Sequence, residues 1–324
     1  MSDNTTNSLK WGILSGVGAY ILWGALPIYW KMLDHVPSVE VLAHRVIWSC
    51  IFMIILLSFL RKSRDFMRDI QKMFQQPKIL IGMICAALLI SLNWGTYIWA
   101  VTNDFVLETS FGYYINPLVS VVLGVIFLKE RLSRMQWFSV GLAALAVTIL
   151  TVSLGSFPLV ALTLALSFAL YGLAKKLVDV GAMSSVAIEA MLVIPLAVGF
   201  LIFQHGLSSS MFYVDYSFTF WLLVGAGAAT ALPLMLFTAG AKRIPLSLIG
   251  FLQYIAPTMM LFLGVFLYGE AFTSVHLVAF SMIWAALVIF TVSRFRLARK
   301  MKAHAVEVAE LPKTLRENKA KASV

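Results

Sequence analysis

Long apolar runs alternate with short polar connections along the whole chain. Ten runs approach or reach the roughly 20 residues that a helix needs to cross a bilayer: 11–30, 38–60, 79–101, 106–128, 135–152, 157–174, 183–203, 217–241, 245–268 and 273–293. None alternates at period two, and all are too long for barrel strands, so the pattern predicts helices. The first run carries Trp23, Pro27 and Trp30 with no small-residue cleavage site, which reads as a retained span rather than a signal peptide. Trp11, Trp30 and Trp137 sit near run ends, where an interfacial aromatic belt is expected.

Composition strengthens this picture. Of 324 residues, 60% are hydrophobic and 12% charged, which excludes an ordinary soluble domain, a disordered chain and a disulfide scaffold. The two cysteines, Cys50 and Cys85, lie inside apolar runs with neither a CxxC nor a His partner, so they read as packing residues, with no metal or cofactor implied.

The net charge of +10 takes its meaning from placement. If the runs are threaded in order, 23 of the 25 Lys and Arg residues fall on one side, Lys31 falls on the other, and Arg45 lies within a run. The positive-inside rule then predicts that both termini are cytoplasmic. The same sorting excludes nucleic acid, because the positive charge sits at loop ends and in the tail, not in an aromatic-lined basic groove. Residues 294–324 carry nine basic and three acidic residues and read as a solvated or lipid-surface tail.

The chain also repeats itself. Shifted by 140 residues, Phe111–Glu130 falls on Phe251–Glu270 with eight of twenty positions identical, among them Pro117/Pro257, Gly124/Gly264 and Glu130/Glu270. Leu22-Trp23-Gly24 echoes Leu170-Tyr171-Gly172. The expected fold is an all-α membrane protein of ten transmembrane helices in two five-helix repeats, 11–152 and 157–293, flanked by a cytoplasmic segment 1–10 and the basic tail. Five is odd, so the second repeat enters inverted. That pattern belongs to transporters with substrate bound between the halves.

Charges within hydrocarbon need a reason. Glu40 and His44 share a helix face at i, i+4, and Arg45 is next to them; Glu108 opens the fourth run from the same side. Two readings stand: an ion pair between Arg45 and Glu108 or Glu40 that holds helices together, or groups that handle substrate or protons. Glu189 in the seventh run reads as a lone carboxyl, either a proton carrier or a hydrogen-bonding group. Asn93, Trp94 and Tyr97, then Tyr113 and Asn116, then Gln253 and Tyr254, form a polar-aromatic set suited to lining a cavity for a small organic molecule, with interhelical hydrogen bonding as the plainer alternative. Pro117 and Pro257, at equivalent places, are hinge candidates.

Ala43-His44-Arg45-Val46-Ile47-Trp48-Ser49, Asn93-Trp94, Gly112-Tyr113-Tyr114-Ile115-Asn116-Pro117-Leu118, Tyr171-Gly172-Leu173 and Gly250-Phe251-Leu252-Gln253-Tyr254-Ile255-Ala256-Pro257 together resemble the RarD branch of the EamA-type drug/metabolite transporters over residues 10–293. The resemblance implies a bacterial inner-membrane protein with two EamA repeats and cytoplasmic termini. The branch takes its name from a link to chloramphenicol sensitivity, and related branches export amino acids and other metabolites. The tail after Arg294 lies outside the common core, and Lys175-Lys176 stands where relatives often carry Arg-Lys.

The expected activity is therefore that of a secondary transporter exporting small organic molecules, with the bilayer as its medium and protons as a candidate coupling ion. No GxxxxGK[ST] segment serves an ATP-driven pump. The alternatives are a channel or scaffold, for which the polar residues are too clustered, and a membrane enzyme, for which HExxH, GxSxG and intramembrane Asp pairs are missing.

Overall fold

A computed structural model describes residues 2–102, 106–154, 159–206, 213, 217–267 and 274–310. The described backbone is helical: α1 Ser2–Lys31, α2 Ser38–Phe59, α3 Ser63–Gln75, α4 Pro77–Thr102, α5 Val106–Leu128, α6 Arg134–Leu154, α7 Leu159–Leu177, α8 Ala182–His205, α9 Ser217–Arg243, α10 Leu246–Leu252, α11 Ile255–Phe262 and α12 Ser274–Glu310. Among the described residues, seven stretches are long and apolar enough to cross a membrane, the seventh being Leu246–Leu267, which includes α10 and α11; three shorter apolar stretches are Gly112–Leu128, Arg134–Ile149 and Leu277–Ser293. Phe59, Phe203 and Phe266 are 82%, 87% and 80% exposed, an arrangement that only a hydrocarbon surround makes favourable. Cys50 is buried, whereas Cys85 lies on an exposed face of α4.

Antiparallel pairing organises the bundle. Ala43 and Ile47 of α2 cluster with Ala197 and Leu201 of α8, and Glu40 at the start of α2 meets His205 at the end of α8. The α1 and α9 helices also run antiparallel: a Cβ on Gly225 would meet the Tyr29 hydroxyl, and one on Gly240 would meet the Gly12 carbonyl. The α5 and α10 helices cross where a Cβ on Gly250 would come within 2.9 Å of the Pro117 carbonyl. Backbones approach that closely only where small residues line the crossing.

Several elements depart from the sequence reading. The segment after α2, expected as a basic loop, contains α3, an amphipathic helix whose Phe66 and Met73 are buried while its charges face outward. At 13 residues it escapes any search for membrane-length runs. The ninth run is not one helix: α10 ends before Gln253 and Tyr254, α11 begins at Ile255, and Leu263–Leu267 forms a π-helical turn. The equivalent α5 continues through Pro117, so the two prolines do not produce matching breaks. The α1 helix starts at Ser2 instead of after a polar leader, and α12 extends through the basic segment to Glu310.

The charge-rich connections meet at one end of the bundle. Lys72 pairs with the Asp179 carboxylate and donates to the Asp179 carbonyl at 3.1 Å, and Gly181 N–H donates to Asp69 at 3.1 Å. Lys242 donates to the Val178 carbonyl, and Lys176 to the carbonyl of Ala241 at 2.9 Å. Glu130 accepts from the N–H groups of Leu246 (2.6 Å) and Ser247 (3.1 Å), closing the first turn of α10. Lys72, through its hydrogen bond and its charge, holds the Asp179 carboxyl below its ordinary value. Stability from this bridge is therefore present above the unfolded carboxylate pKa of about 4 and is lost as pH falls through the lower folded value. Because Asp179 is exposed, Asp179→Asn should lower stability by less than about 1 kcal/mol at pH 7, and a melting curve in detergent checks that.

Candidate functional site

Two polar layers lie at different depths in the membrane-spanning part. The first is built on α2, where Arg45 lies seven residues, or about 10 Å, beyond Ser38. Its Nε donates to Thr230 Oγ1 of α9 at 3.0 Å. The guanidinium carbon lies 4.5 Å from the ring centroid of Trp30 on α1 and 5.0 Å from that of Trp94 on α4. Tyr97 and Tyr113, with ring centroids 6.4 Å apart, are within electrostatic reach of the same charge and are 39% and 36% exposed. A half-buried cation thus sits among two indoles and two phenols from α1, α4 and α5, with its fork held by α9.

Beside it, nearer the start of α2, buried Glu40 accepts from Tyr213 at 2.7 Å and pairs with His205 at 3.0 Å. The buried His44 ring meets Tyr213 edge-on at 6.2 Å. Glu40 is therefore engaged by α8 and the segment after it, and Arg45 by a hydroxyl and two rings. The expected Glu40–Arg45 pair does not form among these contacts. The Glu108 side chain lies outside the described residues.

The second layer is built on α7 and α8. Lys175, fully buried in the last turn of α7, forms an ion pair with Glu189 and donates to Ser185 Oγ at 2.7 Å. Ser185 Oγ donates to Glu189 Oε1 at 3.1 Å and Tyr171 Oη to Oε2 at 3.0 Å, while the Lys175 ammonium lies 5.2 Å from the Tyr171 ring centroid. The carboxyl that looked solitary in the sequence is saturated with donors, and the lysine counted as a loop charge is its counterion. Low local dielectric makes such a network strong when complete and costly when one member is lost.

Because α2 and α8 are antiparallel, with Ala43 packed near Leu201, Arg45 stands level with about Gly199. Glu189 is ten residues further along α8, so the two layers are about 15 Å apart. An aromatic cluster adjoins the second layer through Tyr171. Tyr20 and Trp23 of α1, Phe168 and Tyr171 of α7, and Phe237 of α9 form one cluster, with Tyr171 and Phe237 stacked at 5.8 Å.

Other sequence candidates lie apart from Arg45. The Asn93 amide donates to the Leu164 carbonyl (2.9 Å) and to Ser167 Oγ (3.0 Å), tying α4 to α7. Asn116, buried, accepts from Ser120 at 3.4 Å. Tyr254, fully buried, donates to the Tyr114 carbonyl at 3.3 Å, and Gln253 is buried next to it, beside the α10–α11 break. The sequence reading missed Thr230, Tyr171, Ser185 and Lys175, and placed Trp30 in the interfacial belt. Lys175 and Glu189 flank a four-residue connection, so a wound α7 end puts them face to face; Thr230 carries no signal of its own.

Comparison with known proteins agrees with this architecture. Residues 10–152 match the EamA-like transporter family. The chain is 45% identical to the uncharacterized transporter YojE of Bacillus subtilis, covering 91% of this chain and 98% of that protein. It is 42% identical to the protein RarD of Escherichia coli K12, covering 89% and 96%. It is 30% identical to the chloramphenicol-sensitive protein RarD of Pseudomonas aeruginosa, again covering 89% and 96%. A solved crystal structure with 19% identity superposes at a TM-score of 0.66 over 88% of this chain and 98% of its own, a likeness of fold. The chain belongs to the EamA-like transporter family, in its RarD-like branch, and is a multi-pass membrane transporter.

Proposed function

We propose that this RarD-like member of the EamA family is a secondary carrier that exports small organic metabolites or drugs across the bacterial inner membrane by alternating access. In this reading its ten apolar runs form two inverted five-helix repeats, and both termini are cytoplasmic. One observation carries the proposal: two polar layers about 15 Å apart, one around a half-buried Arg45 flanked by partly exposed phenols, the other sealed around a fully buried Lys175. A carrier resting open toward one face needs such an asymmetry. The antiparallel α2–α8 and α5–α10 pairs are what an inverted repeat produces, and the gathering of basic connections at the Lys175 end fits a cytoplasmic face.

Substrate would enter between the halves, with Pro117 and the α10–α11 break before Pro257 as places where the second arrangement bends. Among the acids, Glu189 is locked to Lys175, so Glu40, bonded to His205 and Tyr213, is the better proton carrier in a proton-coupled cycle.

Reconstituted liposomes test the reading. Preloading with unlabelled substrate should accelerate uptake of the labelled compound, and the flux should saturate. Unsaturable conductance would make the protein a channel, and chemical turnover of the compound would make it an enzyme.

A further inference from the structure

Resting on the carrier reading, the geometry points to the chemical class of the substrate: we infer that the site takes an organic monocarboxylate with a flat apolar body, its carboxylate on the Arg45 guanidinium and its body against the rings of Trp30, Trp94, Tyr97 and Tyr113.

Arg45 is the starting point. An intramembrane guanidinium stays charged, and a charge at that depth requires an anion or a wet, polarisable surround. Among the described residues no carboxylate lies within ion-pair distance: Glu40 is held by His205 and Tyr213, and Glu189 is a layer away on Lys175. What Arg45 has instead is one hydroxyl on Nε and two indole rings with centroids 4.5 and 5.0 Å from its guanidinium carbon. The Thr230 contact occupies Nε, leaving the two terminal nitrogens as the donors for a bidentate oxyanion. The indoles contact the guanidinium without using its N–H groups, and among the described residues no carboxylate matches its charge.

The rings around it select the rest of the ligand. Tyr97 and Tyr113 each keep over a third of their surface exposed although they lie on the same layer as Arg45. Flat apolar groups stack on such faces. One guanidinium balances one negative charge, which favours a carboxylate over a phosphate dianion. These walls come from α1, α2, α4, α5 and α9, so the site joins helices from both sequence halves, where an alternating-access carrier holds its substrate.

Matched pairs of acid and amide isolate the charge from the shape. The purified full chain is titrated with benzoate, phenylacetate and indole-3-acetate, and with benzamide, phenylacetamide and indole-3-acetamide, following thermal stabilisation and, in liposomes, counterflow of the labelled compounds. The acids should bind at least about tenfold more tightly than their amides. Arg45→Gln should erase that preference, Arg45→Lys should restore part of it, and Glu108→Gln should leave it in place. Equal binding of acids and amides, or a preference that survives Arg45→Gln, overturns the inference. Loss of preference in Glu108→Gln also overturns it, since that acid would then be part of the recognition. If Arg45→Gln does not fold, the ranking of acids against amides on the unaltered protein decides alone. Saturable counterflow of some neutral or cationic compound, with the acids inert, removes the carboxylate and leaves the carrier standing. Acid-selective binding without any counterflow does the reverse.

Discussion

Lys175→Met should be among the most damaging single changes in this protein, lowering its stability in detergent by about 3–5 kcal/mol, because it leaves Glu189 buried without its cation. Ser185 and Tyr171 still donate to that carboxylate, but two hydroxyls do not replace an ammonium in a low-dielectric layer. Glu189→Gln should cost less, since its amide oxygen still accepts from one of the two hydroxyls and its NH2 can donate to the other, although it leaves Lys175 unneutralised. The double variant Lys175→Met/Glu189→Gln removes both charges and should recover most of the loss, so the two single effects will be strongly non-additive. Size-exclusion yield and melting temperature of the four proteins form the cycle. Additive losses would mean that the two charges do not depend on each other. The cycle also separates structure from transport: a double variant that folds but no longer exchanges substrate makes the pair part of the closure of that face, whereas normal exchange makes it a fastening only.

That network shows where reading the sequence stops. Runs of apolar residues give helices because a bilayer leaves the backbone no other way to satisfy its hydrogen bonds, so most elements were legible from length alone. Apolar run lengths pass over a 13-residue amphipathic helix, and α3 was missed for that reason although its helical period is present in the sequence. They also say little about breaks such as the α10–α11 interruption at Gln253 and Tyr254, which follows Gly250, where the α10 backbone lies close to Ser120 and Pro117 of α5. At the candidate site, Arg45 was visible in the sequence as an expensive side chain and Trp94, Tyr97 and Tyr113 as stackable ones. Their companions were not. Trp30 resembles any interfacial tryptophan until α1 and α2 are both packed on α9, with its ring near the Arg45 guanidinium, and Thr230 resembles any threonine in a helix. Asn93 was expected to line a cavity and Glu189 to stand as a lone carboxyl; only the tertiary arrangement brings Leu164 and Ser167 to the one and Lys175 to the other.

Gly227→Ala should disable the Arg45 site from a distance. Gly227 faces α2 where the helices touch backbone to backbone, and Ser49 Oγ donates to its carbonyl at 3.4 Å. An added Cβ would overlap the Trp48 carbonyl and lie 2.7 Å from Ser49 N. These are backbone atoms, so no rotamer change relieves the clash, and α2 and α9 must separate. Overpacking of this kind costs about 1–3 kcal/mol or more. The consequence for function follows from spacing. Thr230 is three residues along α9 from Gly227, and Arg45 is four residues along α2 from Ser49, so separation at the crossing pulls apart the 3.0 Å hydrogen bond one turn away. The variant should therefore lose both melting temperature and ligand binding. Gly141→Ala and Gly199→Ala are the controls, since a Cβ at either position meets nothing within 4 Å. Both should be neutral or slightly stabilising, in keeping with the better helix propensity of alanine. If Gly227→Ala melts and binds like those two, the helices are not in backbone contact at Gly227, and the hydroxyl that orients Arg45 is not fixed by this crossing.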